Sequence, residues 1–286
     1  MNRILDPYRH LCDTPEAGVR WACLLEATAP KAGNVFPGHS FNDLCFEQFV
    51  QAAEISATAF AGPFDRFSLP VLEAVTRVAK EVGTNVNLGI LLLIGPLVQV
   101  DRAFEGLPDL AELSRAICNL IDSLDADDSR NLYAAINAAH PGGMGKVDDM
   151  DLGAAAPPTF QLAMRSARER DRIAENYSDG FTDLLHEVVP TIDQAIAEQQ
   201  DLITGIAVAH LRLLATRTDS LIERKFGPKI AATVQARADF DHQNPAARAA
   251  FDNYLRTDQA RPINPGTTAD LIAAGLYVLL RTNVSN

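Results

Sequence analysis

Basic residues are in short supply in this chain. Its 286 residues include 25 Lys and Arg against 37 Asp and Glu, a formal charge of −12. A field of that sign repels nucleic acid and anionic membrane surfaces, so neither is expected as a partner. A small phosphorylated substrate stays open, because a local cluster of Arg and Lys overrides the global field. Long apolar runs are missing as well. The most apolar stretch, Leu88 to Val100, has 13 residues and contains Pro96, whereas a bilayer span takes about 20. The opening Met1-Asn2-Arg3-Ile4-Leu5-Asp6-Pro7 has no apolar segment of the signal-peptide kind, and a cytoplasmic protein is expected. Cysteines are few: Cys12, Cys23, Cys45 and Cys118 lie far apart with no C-x-x-C pair. That spacing excludes a disulfide framework and a zinc site. No stretch alternates polar and apolar residues, and no Asn-Gly or Asp-Gly centres a strand–turn–strand pattern, which leaves little room for a sheet.

What the chain does have is helical periodicity. Phe46, Phe49, Val50, Ala53, Ala57 and Phe60 fall at the i, i+3, i+4 spacing of one helix face, and Val71, Leu72, Val75, Val78, Ala79 and Val82 repeat it. Ser68 is placed to cap the second of these helices and Gly83 to end it. Thr14-Pro15-Glu16 opens an earlier helix, with Pro at the first helical position. Further helices are expected at about 110–124, 159–173, 179–188, 202–217, 245–256 and 268–281. There is no fixed-period repeat, and the Pro/Gly-rich segments are too short for linkers. The expected fold is all-α, a single compact domain over residues 1–286 with roughly ten helices.

In a helical protein, polar residues packed around Gly and Pro at helix ends carry the functional information. Five such places stand out. Glu26, followed by Pro30-Lys31-Ala32-Gly33-Asn34, His39 and Asn42-Asp43, supplies a cation, a close-approach backbone and an amide; its plain reading is an interhelix loop. Gly83-Thr84-Asn85-Val86-Asn87-Leu88-Gly89 leads into a buried helix, where its polar groups can meet phosphate or serve only as a cap. Pro141-Gly142-Gly143-Met144-Gly145-Lys146, with Asp148, Asp149 and Asp151 behind it, is rich in Gly but lacks the spacing of a phosphate loop. Its carboxylates suit Mg²⁺ or, more plainly, water. Asp219 precedes Arg224-Lys225-Phe226-Gly227. Last, Asn264-Pro265-Gly266-Thr267-Thr268-Ala269-Asp270 feeds a helix whose early amides form an anion seat, or one that Thr268 caps and whose dipole Asp270 answers.

In this order, the segments resemble the triphosphoribosyl-dephospho-CoA synthase family, which serves the maturation of citrate lyase and malonate decarboxylase. The resemblance runs from about Trp21 to Leu280. Its markers are Glu26 with Pro30-Lys31-x-Gly33, Asn85-x-Asn87-x-Gly89, Asp219 with Arg224-Lys225 and Gly227, and Pro265-Gly266-x-x-Ala269-Asp270-Leu271. Two places depart from members of established activity. Where they carry Asp-Met-Asp after the histidine, this chain has Ser40-Phe41-Asn42-Asp43, and where they carry His-Lys it has Asn87-Leu88. These departures make it more similar to a divergent branch found in archaea and some bacteria.

The resemblance implies an ATP-dependent triphosphoribosyl transferase, in which a ribose hydroxyl of 3′-dephospho-CoA displaces adenine from ATP. By that resemblance Lys31, Arg224 and Lys225 hold phosphates, and Asn34, Asn85, Asn87 and Thr267 complete the ATP site. Glu26, Asp43 and Asp219 are the catalytic candidates, with Asp43, Asp219 and Asp270 as ligands for Mg²⁺. Lys31 and Arg224, 193 positions apart, would then converge to within roughly 10 Å around one triphosphate. Two other functions fit the same residues: ribosyl or nucleotide transfer to another acceptor, as in the biosynthesis of a one-carbon carrier cofactor, and nucleotide binding without catalysis. The partners expected are small molecules, and a homodimer is compatible with the sequence.

Overall fold

The computed structural model describes residues 3–104, 106–139, 156–257 and 261–282. After a short helix α1 (Asp6–Arg9), α2 (Pro15–Thr28), α3 (Phe46–Ala61), α4 (Ser68–Glu81) and α5 (Leu88–Phe104) follow. Next come α6 (Leu110–Asp122), α7 (Ala126–Ala139), α8 (Phe160–Ala167) and α9 (Arg172–Asp179). The chain continues through α10 (Val189–Gln199), α11 (Leu202–Thr216), α12 (Ser220–Phe226), α13 (Pro228–Arg237), α14 (Pro245–Thr257) and α15 (Gly266–Arg281). Strand pairing among the described residues is limited to isolated bridges. The all-α expectation holds, with fifteen α-helices among the described residues instead of roughly ten.

Local signals explain several boundaries. Thr14 caps α2 by accepting from Ala17 N, and Gly83, at φ +80°, follows the end of α4. Ser68 is not a cap; it lies inside α4 and its hydroxyl donates to Asp128 at 2.6 Å. The helix expected over 159–173 is two helices, because Asp171 accepts from Ile173 N and Ala174 N and starts α9 anew. The stretch 179–188 is likewise broken. Gly180 and Phe181 both take positive φ, and a wider π turn, Leu184–Val188, then runs into α10. A buried Arg172–Asp183 pair at 2.8 and 2.9 Å braces that turn, and Asn176 Oδ1 accepts from Leu184 N.

Two helices without a polar face form the centre. α5 is buried from Ile90 to Val98, and α15 is buried from Thr267 to Leu280 with Asp270 the single break. α15 packs against α2, α5, α10 and α11. Pro96 lies inside α5 and has no N–H to give the Leu92 carbonyl one turn earlier. The buried Tyr177 hydroxyl of α9 donates to that carbonyl at 2.6 Å, so the break in α5 becomes its tie to α9. At the far end of α5 the fully buried Asp101 accepts from Arg281 at 2.6 and 2.7 Å and from the Tyr277 hydroxyl. A second apolar cluster, including Leu211, Ile222, Val234, Phe251 and Leu255, joins α11 through α14. No described helix is long and apolar enough to cross a membrane.

Candidate active site

A cleft of about 840 Å³ opens where the end of α2, the following loop and the 83–87 turn meet the N-termini of α5, α9, α12 and α15. Helix N-termini carry partial positive charge and unpaired N–H groups, so gathering several at one cleft favours an anionic ligand. Asn85 Oδ1 caps α5 at Leu88 N, 3.1 Å away. Asp219 ties two of the other helices together. Its Oδ1 accepts from Ile222 N at 3.0 Å, capping α12, while its Oδ2 accepts from Thr268 N and the Thr268 hydroxyl at 2.7 and 2.8 Å.

The expected site residues divide between wall and support. Glu26, Asn34, Asp43, Asn85, Asn87, Arg224, Lys225, Thr267 and Asp270 line the cleft. Lys31 does not line it. Its side chain is 0% exposed, and its ammonium sits 2.9 Å from Glu26 Oε1 and donates to the Glu26 backbone carbonyl. Glu26 ends α2 at 3% exposure, and a carboxylate that deep requires a cation behind it. The expected convergence of Lys31 and Arg224 on one ligand is therefore not what the fold makes: Arg224 reaches the cleft, and Lys31 neutralises its wall. Asp219 is also support, since both its oxygens are committed to α12 and α15. The Thr268 cap of α15 is replaced by Thr268's bond to Asp219, and Thr267 accepts from the Ser220 hydroxyl at 3.1 Å. Asn87 points to Ser56, at 2.8 Å, and Leu88 is apolar, so neither position where the sequence departs from His-Lys supplies a cation. Pro141–Lys146 and the acids behind it lie outside the described residues.

Asp270 stands apart electrostatically. Its carboxyl accepts no hydrogen bond from the described residues, and its Oδ2 lies so near α5 that a Cβ built on Gly89 would sit 2.1 Å from it. Only glycine at position 89 admits this approach. Burial, and then the charges of Glu26, Asp219 and Asp171, hold the Asp270 pKa well above the ordinary carboxylate value. Arg224 and Lys225 line the same cleft, and the charge of Arg224 acts against that rise. Arg224 donates to Asp171 at 2.8 Å, while its Nε has no partner. Desolvation, aided by the charges of Arg224 and Arg261, lowers the pKa of Lys225. Among the described residues, no three His, Cys, Asp or Glu side chains converge as a metal site.

Sequence reasoning missed Arg170, Asp171 and Glu223 on the cleft wall and His210 behind it. Asp171 had a readable signal, an N-cap type of residue immediately before an amphipathic stretch. The others had none, because helical periodicity runs through them.

Fold and cleft together define an all-helical protein whose cleft gathers helix N-termini, cations and carboxylates from distant parts of the chain. The chain belongs to the CitG family, the ATP:dephospho-CoA triphosphoribosyl transferases, whose family model matches residues 12–286. This bears out the resemblance read between Trp21 and Leu280. A crystal structure from Archaeoglobus fulgidus, of a protein provisionally described as a triphosphoribosyl-dephospho-CoA synthase, shares the fold. Its TM-score is 0.60 at 21% identity, covering 81% of this chain and 97% of that one. No curated protein matches the chain.

Proposed function

We propose that this chain performs its family's transfer in the cleft, moving the triphosphoribosyl group of ATP onto dephospho-CoA and releasing adenine. In that reaction a hydroxyl oxygen of the acceptor bonds to the anomeric carbon of ATP as the bond from that carbon to adenine breaks, and the hydroxyl proton must leave. The observation that carries the reading is Asp270, a carboxyl with a raised pKa and no protein hydrogen bond, facing the same cleft as Arg170, Arg224 and Lys225. A carboxyl held above the ordinary carboxylate value keeps its proton more readily and can take up and return one. The three cations and the N-termini of α5 and α15 suit the triphosphate, and Glu26, balanced by Lys31, offers negative charge to a ribosyl centre that turns cationic. Among the described residues, the carboxylates form no cage for a resident Mg²⁺. Mg²⁺ brought in on ATP keeps its phosphate and water ligands, and Asp43, exposed in the loop near Lys225, is an acid placed to touch it.

An assay of adenine release from Mg-ATP, with and without dephospho-CoA, tests this proposal. Adenine appearing only with dephospho-CoA is the expected result. Release that requires a different acceptor would move the chain to another transfer reaction. Nucleotide binding in calorimetry with no release under any condition would make it a binding protein.

A further inference from the structure

Asn34 is buried to 6% exposure, yet it lines the cleft. Its Nδ2 donates to the Ala32 carbonyl at 3.3 Å and lies 3.3 Å from His210 Nε2. A carbonyl oxygen only accepts, so the atom beside Ala32 must be the amide nitrogen; turned over, Oδ1 would face another oxygen. The imidazole nitrogen on its other side must then accept. His210 is completely buried in α11; its Nδ1 has no hydrogen-bond partner among the described residues, and the Pro265 backbone lies close to the ring. Burial, and then the nearby charge of Lys31, hold the imidazole pKa down to about 3, so the ring is neutral and has one acceptor to offer.

The backbone around Asn34 is held as firmly. Arg256 donates to the Asn34 carbonyl, and Asp252, paired with Arg256 at 2.9 Å, accepts from Gly33 N at 2.7 Å. Gly33 takes φ +74°. Both amide protons of Asn34 are committed inward, and Oδ1 accepts nothing from the protein. The side chain therefore presents the cleft with an acceptor and no donor. Such an atom repels phosphate oxygens and matches an N–H or O–H.

We propose that Asn34 is a specificity residue that accepts a hydrogen bond from an N–H or O–H of the bound nucleotide, and that His210 is the positioning residue that fixes the sense of its amide. The proposal rests on the ATP reading above. On the nucleotide the candidate donors are the exocyclic amine of adenine and the ribose hydroxyls.

Calorimetric titration of the full chain with Mg-ATP, Mg-ITP, and the 2′-deoxy and 3′-deoxy forms of Mg-ATP separates the sources. ITP replaces the amine with a carbonyl; each deoxy form removes one hydroxyl. Wild type is expected to prefer ATP over one analogue by roughly tenfold, which is about 1.4 kcal/mol, and that analogue identifies the group read. Asn34→Ala should weaken ATP about tenfold while leaving that analogue unchanged, so the preference disappears. His210→Gln, which keeps an acceptor facing Asn34, should retain the preference, and His210→Leu should lose it. Should the variants not fold, slow exchange of both Asn34 side-chain amide protons in the wild-type NMR spectrum supports the inward commitment, and fast exchange overturns it. Equal affinity of wild type for all four nucleotides, or an Asn34→Ala preference equal to wild type, overturns the proposal. Wild type that fails to bind ATP overturns the functional reading and this inference with it.

Discussion

A carboxyl that is desolvated and makes no hydrogen bond weakens a fold, and Asp270 is in that position within an otherwise apolar run of α15. Asp270→Asn should therefore lower the rate of adenine release by about a hundredfold or more and leave the melting temperature unchanged or raised; kinetics beside thermal denaturation check both halves. Lys31 predicts the opposite pattern. Lys31→Met strands the Glu26 carboxylate and should destabilise by about 3–5 kcal/mol, with Glu26→Gln in the same chain recovering much of the loss, as urea denaturation would read. His210 governs pH dependence. Unfolded, it takes a proton near pH 6.5; folded, it resists until about 3. Between those values the unfolded chain binds more protons, so this contribution to stability is complete above pH 6.5 and falls as pH drops toward 3. The raised Asp219 and Asp270 slope the other way above the usual carboxylate range. Comparing wild type with His210→Gln isolates the histidine: wild type should lose more stability than the variant between pH 7 and 5. The sequence revealed Lys31 and Glu26 as important but not their roles, because Lys is read as a surface cation and its partner lies across a helix end, five residues back.

Periodicity made α3, α4, α5, α6, α11, α14 and α15 legible, since each buries one broad face or all faces, and the Thr14-Pro15-Glu16 start signal revealed α2. Missed were α7, whose first turn is acidic, α10, which continues from the π turn, and α12 and α13, which are short and joined at Gly227. Periodicity also ran through the break at Asp171 and the double positive-φ turn at Gly180-Phe181, where a side-chain cap and buried ion pairs override the hydrophobic repeat. The joint between α5 and α9 is equally tertiary. Tyr177→Phe should cost about 1–3 kcal/mol by leaving the Leu92 carbonyl unpaired in the core. Pro96→Ala restores an N–H to α5, so the double variant should be more stable than the two single losses predict; chemical denaturation of the four proteins measures the coupling.

The cleft walls come from Glu26 at one extreme of the chain to Asp270 at the other, with Asn85, Asp171 and Arg224 between them. Five loops were marked in the sequence; the four lying within the described residues meet at or behind the cleft, although nothing local in the sequence dictated how they would meet. The cleft's 840 Å³ lies toward the upper end of the usual range for small-molecule sites. Two substrates that react directly must occupy it together. Initial rates measured against both should give intersecting lines in double-reciprocal plots, and parallel lines would indicate a covalent enzyme intermediate instead. α15 closes this cleft and also fills the space between α2, α5, α10 and α11. During synthesis on the ribosome, everything before residue 266 can emerge and begin to collapse, but neither the centre of the protein nor the cleft is complete until α15 clears the exit tunnel. The walls of the cleft and the packing at the centre are thus completed by the same helix, and the cleft is born in one step with the core that α15 fills.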